Sequence, residues 1–451
     1  MTATRALSEF IATTRLADLP ADVVARGSLI LADCVGCMVA GSAAPEVRRL
    51  LAVEAGRGEP SASALGTHVR LTTDAAAYVN GTAGTWHDLD EGNLSTRTHA
   101  AIQIAPAALA EAEARSLTGP RLLEAIILAY EASARLWRAT QSRLAVHPHG
   151  TYGPLAATFA LAKLRGDGPS AIEAAANIAM TLGIAASRNT LNDGATVRNI
   201  YSGHSGRAGF QALALRDAGF TGEADAAASV LGKIYGSAFD PAAATADLNA
   251  TWWIRRNYFK RFPAGRYAHG ALDLVDDLAA QLGSRLAPEL IERIDIETFF
   301  LAATMGQQSV RTPFGCRFSI PMLVAQRIAH GSIPLTDDGT HAFADPAVRA
   351  LATRVFVSED KAATAAYPER QPTQMRVVMR DSRTHAVSSE RILGESDRPL
   401  PSGILEAKFA ALTEASWGDA ATTAWRDLIG ITDIPDVGRL LEGWRAICRA
   451  T

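Results

Sequence analysis

TWWIRRNYFKRFP, residues 251–263, divides the chain into two textures. On its N-terminal side the sequence reads as helix after helix. Asp18 and Pro20 lead into an apolar run to Val39 that Gly41 closes, Pro45 opens a second helix to Ala55, and Asp74 is the expected N-cap of a third. Residues 100–117, with Pro106 as an expected kink, and 121–140, launched by Thr118 and Pro120, carry apolar residues at helical spacing. Gly166 and Gly168 separate two more, over 154–165 and 170–187, with Pro169 in a first-turn position. Alanine dominates throughout, which favours closely packed helices over a wound βαβ sheet.

On the C-terminal side strands enter. Residues 289–300 are β-branched at their centre, 353–360 and 374–392 read as strands, and Asp381-Ser382 turns a hairpin within the last. Helical segments over 266–283 and 316–331 interleave with them, and from Ser402 the chain is helical again through 406–417 and 436–450. The expected fold is mainly α: a large all-helical domain from both termini (1–257 and 400–451) and a smaller α+β lid domain (258–399).

The 451 residues exceed what one core usually supports, and 48% hydrophobic content fills two. A formal net charge of −3 leaves no electrostatic footprint for nucleic acid or an anionic membrane. The N-terminus lacks the apolar core of a signal peptide, and no segment reads as the roughly 20 apolar residues of a membrane span, so the expected location is cytoplasmic. Cys34 and Cys37 stand in a strongly apolar helical run and are expected to pack as small hydrophobes.

Polar chemistry concentrates in residues 78–100, YVNGTAGTWHDLDEGNLSTRTHA, with His87, Asp88, Asp90, Glu91, Asn93 and His99 between helices. A surface loop is the competing reading, since Gly92-Asn93 is a good turn pair. Three further clusters stand out. His147 and His149 precede a helix, whose first-turn N–H groups suit anions. Arg198, Tyr201, His204 and Arg207 share a glycine- and serine-rich segment that suits a carboxylate or, equally, close helix packing. Lys260, Arg266 and His269 fall at the domain junction, where small-molecule pockets concentrate. None matches a metal-ligand pattern, a phosphate loop or a Gly-x-Ser-x-Gly elbow.

Taken together, these residues resemble the MmgE/PrpD family, which includes 2-methylcitrate dehydratase, cis-aconitate decarboxylase and iminodisuccinate epimerase. The resemblance rests on Ala76 to Gly81, His87-Asp88-Leu89-Asp90, His99, Tyr130-Glu131, His147-Pro148 through Gly153, Lys260 to Pro263 with His269, Arg317 to Pro321, and Lys408-Phe409, all in the family's order. It implies a helical domain with an α+β lid, usually as a homodimer, and no cofactor or metal. It also implies proton removal next to a carboxylate of a small polycarboxylate substrate. Asp90, His99, His147 and Lys260 are the expected catalytic groups, and Arg198, Tyr201, Arg266, His149 and His269 the expected substrate-binding ones.

The departures bear on the reaction. Where the family has His-x-x-Asp-Phe-Asp-Asp, this chain keeps Asp90 and then reads Glu91-Gly92-Asn93, so two acids are lost. The family's lysine before the Gly-rich helix is Arg198, which can clamp a carboxylate but cannot carry a proton. With acids thinned and bases kept, the sequence reads as an epimerase needing one base on each face of a carbon. Dehydration and decarboxylation are the alternatives, and a silent carboxylate-binding relative is a third class.

Overall fold

The computed structural model describes residues 1–448. Its buried apolar side chains gather mainly into two clusters. The larger draws on residues from Ala3 to Phe259 and again from Phe409 to Cys448, and the smaller on residues from Phe262 to Val387.

The larger cluster is built by helices α1 (Ala21–Ser42), α2 (Thr73–Gly84), α3 (Ala100–Ala114), α4 (Gly119–Arg138), α5 (Gly153–Arg165) and α6 (Ile200–Asp217). α3 is buried over nearly its whole length, as its alanine-rich, uniformly apolar sequence requires. The smaller cluster is built by a four-stranded mixed sheet covered by α7 (His269–Leu282) and α8 (Ile320–His330). The strands are β1 (Ile291–Thr298), β2 (Val355–Glu359), β3 (Thr373–Met379) and β4 (Thr384–Ser389), in the order β2-β1-β3-β4. β1 pairs parallel to β2 and antiparallel to β3. In β3 the inward set Thr373, Met375, Val377 and Met379 alternates with outward residues, and Ser382 takes a φ of +68° in the hairpin to β4. The chain then returns to the helical body through α9 (Ile404–Trp417) and α10 (Val437–Ala446). Residues 449 and 450 of the helix expected over 436–450 lie outside the described residues.

Three local expectations are corrected. Thr72, not Asp74, caps α2: its hydroxyl accepts the Ala75 N–H at 3.4 Å, and Asp74 sits in the first turn accepting the Thr72 hydroxyl at 2.6 Å. Gly41 does not end α1, because the helix passes so close to Ala83 that a Cβ there would lie 1.9 Å from its carbonyl oxygen. α1 is also long and apolar enough to cross a membrane, with 22 residues and a mean hydropathy of 1.8. It is a core helix here, 78% of its apolar window being buried inside the molecule.

α2 and α6 cross at Gly81 and Gly203, where a Cβ on Gly203 would come within 2.2 Å of the Tyr78 carbonyl oxygen. α2 leads into the polar stretch and α6 follows directly on Arg198, so this crossing sets the separation of Asp88 and Arg198. Gly203→Ala is expected to cost about 1–3 kcal/mol, because backbone rather than a flexible side chain must move. Urea unfolding measures this, and an unchanged midpoint would show that the helices part without strain.

Candidate active site

α2 ends at Gly84, and the residues from Thr85 to Thr98 run irregularly between the two cores before α3 begins. Little of this segment is exposed: Asp88, Asp90, Glu91 and Asn93 are each at most 1% accessible, which rules out a solvated surface loop. Buried carboxylates need cations, and the surrounding elements supply them.

Asp88, in a left-handed backbone conformation (φ +51°), accepts Arg198 Nη2 at 2.7 Å and lies 3.1 Å from Lys260 Nζ, which also donates to the Asp88 carbonyl at 2.8 Å. Burial opposes its charge, yet Lys260 and Arg198 hold its carboxyl well below the ordinary range. Asp90 stands 4.0 Å from Lys260 Nζ and 3.0 Å from His99 Nδ1, and despite burial Lys260 and His99 lower its carboxyl too. His99 Nδ1 also lies 2.8 Å from the Glu91 carbonyl oxygen. Both neighbours of Nδ1 are acceptors, so Nδ1 carries a proton, and in the neutral ring the lone pair is on Nε2. Nε2 lies 3.4 Å from the Tyr258 hydroxyl.

These groups meet at a cavity of about 100 Å³ between the two cores, lined by Asp88, His99, His147, Arg198, Tyr258 and Lys260 among others. His147 Nδ1 accepts the His149 backbone N–H at 3.0 Å, which leaves the proton on Nε2. Burial, then Arg198 and Arg188, push this imidazole well below its ordinary value, so His147 is a neutral N–H donor. The Tyr258 hydroxyl is raised well above its ordinary value by burial and remains a donor.

The expected site residues separate into two groups. His99, His147, Lys260, Arg198 and Arg266 line the cavity, with Asp90 directly behind His99. His149, Tyr201 and His269 are absent from its wall. His149 packs edge-on between His99 and His147, and Tyr201 lies against His147. His269 turns to the Ala264 carbonyl at 3.3 Å and to the Phe262 ring. Arg198 and Arg266 are not open clamps either, since Arg198 is held by Asp88 and Arg266 by Glu395 at 2.5 Å. Arg261, next to Lys260 in the chain, pairs with Asp273 and Asp276.

Tyr258, Arg97 and Arg188 also line the cavity and were missed as site residues by sequence reasoning. One signal did exist for Tyr258, in Gly92. A Cβ on Gly92 would lie 2.4 Å from the Tyr258 hydroxyl oxygen, so the tyrosine fills the space beside a position where the family carries an acid.

A metal would find Asp90, His99 and His149 with ligand atoms within 4.8 Å of one another. Lys260 at 4.0 Å from Asp90, the nearby Arg198 and the proton on His99 Nδ1 all oppose a dication there.

Behind the loop, Glu91 accepts the Ala101 N–H and the Tyr130 hydroxyl, each at 3.2 Å. Burial first, with Asp33 and Asp90 adding to it, pushes its carboxyl up to about 8. The buried imidazoles shift the other way: His147, His149 and His269 fall well below their ordinary value, and His87 is pushed down to about 3 by burial and Arg317. A histidine held neutral contributes stability above its unfolded pKa of about 6.5 and loses it as pH falls, because the unfolded chain binds protons the folded one refuses. The raised Glu91 contributes fully below its unfolded value near 4.5 and loses that contribution as pH rises towards 8. Burial raises Asp33, Glu131 and Asp273 in the same sense as Glu91, so the histidine contribution is read between about pH 5 and 7, where the urea midpoint is expected to fall as pH drops. A midpoint flat from pH 5 to 7 would contradict the neutral burial of these rings.

The geometry is thus a helical body, a second α+β core and a cation-rich cavity between them. Two family models then account for the chain: the MmgE/PrpD N-terminal domain matches residues 5–239 and the MmgE/PrpD C-terminal domain residues 262–429. The chain belongs to the MmgE/PrpD family. It is 24% identical to the cis-aconitate decarboxylase-like protein oryM of Aspergillus oryzae over 383 residues, which is 77% of this chain and 78% of that protein. It is 21% identical to a cis-aconitate decarboxylase of Aspergillus terreus, over 94% of this chain and 92% of that one.

Proposed function

We propose that the chain is a lyase that makes and protonates, or makes and collapses, a carbanion next to a carboxylate of a small di- or tricarboxylic acid. The observation that carries this reading is the inequality of the site's proton carriers. His99 presents a lone pair on Nε2 with its other nitrogen fixed by Asp90 and Glu91, whereas His147 and Tyr258 present protons. The bases kept in the sequence, His99, His147 and Lys260, favoured epimerisation, with a histidine on one face and Lys260 on the other or beside the enolate. The His149 N–H takes up the His147 Nδ1 lone pair that a base there would need.

One base and two donors suit elimination. In dehydration His99 Nε2 takes the proton from carbon, Tyr258 or His147 protonates the departing hydroxide, and the electron pair left on carbon becomes the double bond. In decarboxylation the carbon–carbon bond electrons remain on carbon as carbon dioxide leaves, and a proton that His99 Nε2 has taken from solvent, or one from Tyr258, quenches them. Lys260, paired to Asp88 and near Asp90, acts as a fixed cation for the enolate charge rather than as a base. The relatives named as cis-aconitate decarboxylases favour the second of these routes.

Mass spectrometry after chiral chromatography of incubations with cis-aconitate, 2-methylcitrate and each enantiomer of malate separates the readings. Loss of carbon dioxide or water supports a lyase. Interconversion of enantiomers at constant mass would reinstate the epimerase.

A further inference from the structure

The cavity carries more positive charge than its own carboxylates balance. Five cations line it, Arg97, Arg188, Arg198, Lys260 and Arg266, and three carboxylates answer them, Asp88, Asp90 and Glu395. Those carboxylates are taken up by Arg198, Lys260 and Arg266. Arg97 and Arg188 are left over. Arg97 Nη2 donates to the Thr140 carbonyl at 2.8 Å, a neutral partner. The Arg188 guanidinium lies 5.9 Å from the Tyr267 ring centroid and has no hydrogen-bond or ion-pair partner among the described residues.

Both guanidiniums line the cavity together with Tyr267, and the Tyr367 hydroxyl, which burial and then Tyr267 raise, is lowered by both. That hydroxyl is 3.4 Å from the Tyr267 hydroxyl, and Tyr267 itself lines the cavity. Arg97 comes from the polar stretch in a left-handed backbone conformation (φ +54°), and Arg188 from the loop after the helix Pro169–Thr181. Two elements distant in sequence thus bring guanidiniums that no carboxylate pairs to the cavity that holds His99 and Lys260.

We propose that Arg97 and Arg188 form a second anion subsite, which holds a carboxylate of the substrate remote from the reacting carbon and selects polycarboxylates over monocarboxylates. This rests on the polycarboxylate reading above. Guanidinium forks suit carboxylate oxygens, and a substrate bringing two negative charges beyond the cavity's own would neutralise the site.

Isothermal titration of the full chain with succinate, butyrate and cis-aconitate tests the subsite without relying on turnover. Succinate differs from butyrate by a carboxylate in place of a methyl group, so the unaltered chain is expected to bind succinate the more tightly. Arg188→Gln and Arg97→Gln should each weaken succinate roughly 10- to 100-fold, leave butyrate within twofold, and preserve the thermal midpoint, because both side chains are partly exposed. Arg188→Lys should recover part of the loss. Succinate binding within twofold of the unaltered chain in both glutamine variants, or no preference for succinate over butyrate, overturns the subsite while the proposed reaction stands. Failure of the unaltered chain to bind either succinate or cis-aconitate would instead remove the polycarboxylate reading, and the subsite with it.

Discussion

His99→Ala is expected to lower kcat by about 10³-fold, within the 10²- to 10⁴-fold range of a positioned general base, with little change in KM. The expectation follows from the ring's fixed tautomer, since Glu91 O at 2.8 Å and Asp90 at 3.0 Å both hold the proton on Nδ1. Asp90→Asn should cost nearly as much while leaving the fold intact. An amide there can donate as well as accept, so the ring loses the fixed orientation and the negative charge that stabilises its protonated form. The pair of variants matters more than either alone. If Asp90→Asn is harmless while His99→Ala is not, the carboxylate serves packing and the tautomer is set by Glu91 alone. Steady-state kinetics on whichever acid turns over, with circular dichroism as the folding control, decides this.

Lys408→Met should destabilise the chain by about 3–5 kcal/mol, the range for breaking a buried ion pair from one side. Lys408 Nζ on α9 lies 2.6 Å from Asp33 Oδ1 on α1 and donates to the Leu89 carbonyl at 2.9 Å, while Asp33 Oδ2 accepts the Glu91 N–H at 3.1 Å. The pair therefore holds the backbone on both sides of Asp90 from behind, and its loss frees the loop that carries Asp88 and Asp90. Removing only the lysine leaves a buried carboxylate without a partner. Asp33→Leu combined with Lys408→Met should recover most of the stability, yet not the activity, because Leu89 and Glu91 remain untethered. Recovery of both together would show that the pair contributes packing alone, and a cost under about 1 kcal/mol for the single variant would show that it contributes neither.

These contacts explain why landmarks that are weak in sequence occur together. Tyr130 donates to Glu91, Lys408 holds Leu89 and Asp33, and Arg317 reaches the carbonyl oxygens of Trp86 and Asp337 and, at 3.2 Å, His87 Nδ1. Each lies far from residues 78–100 in the chain, and each braces that stretch in space. The helices and strands were legible because periodicity is local: the alternation in TQMRVVM and the Asp381-Ser382 turn need no partner to be read. The cavity was legible only as clusters of suitable residue types, since burial and direction depend on elements hundreds of residues away. His147 and His149 are two residues apart, and only the fold determines that the first reaches the wall and the second stands behind it. Arg188 gives no signal in a loop sequence, because an unpaired arginine in solvent and one facing a cavity read alike.

The central claim is that proton transfer at carbon passes through His99 Nε2, and deuterium uptake from solvent measures that transfer directly. In deuterated water, proton NMR of incubations with cis-aconitate and the other polycarboxylic acids should show at least one acid or its product gaining deuterium on the carbon next to a carboxylate, at a rate that His99→Ala reduces by the same factor as kcat. No deuterium in any of them, or uptake at an equal rate in His99→Ala, would place the chemistry elsewhere.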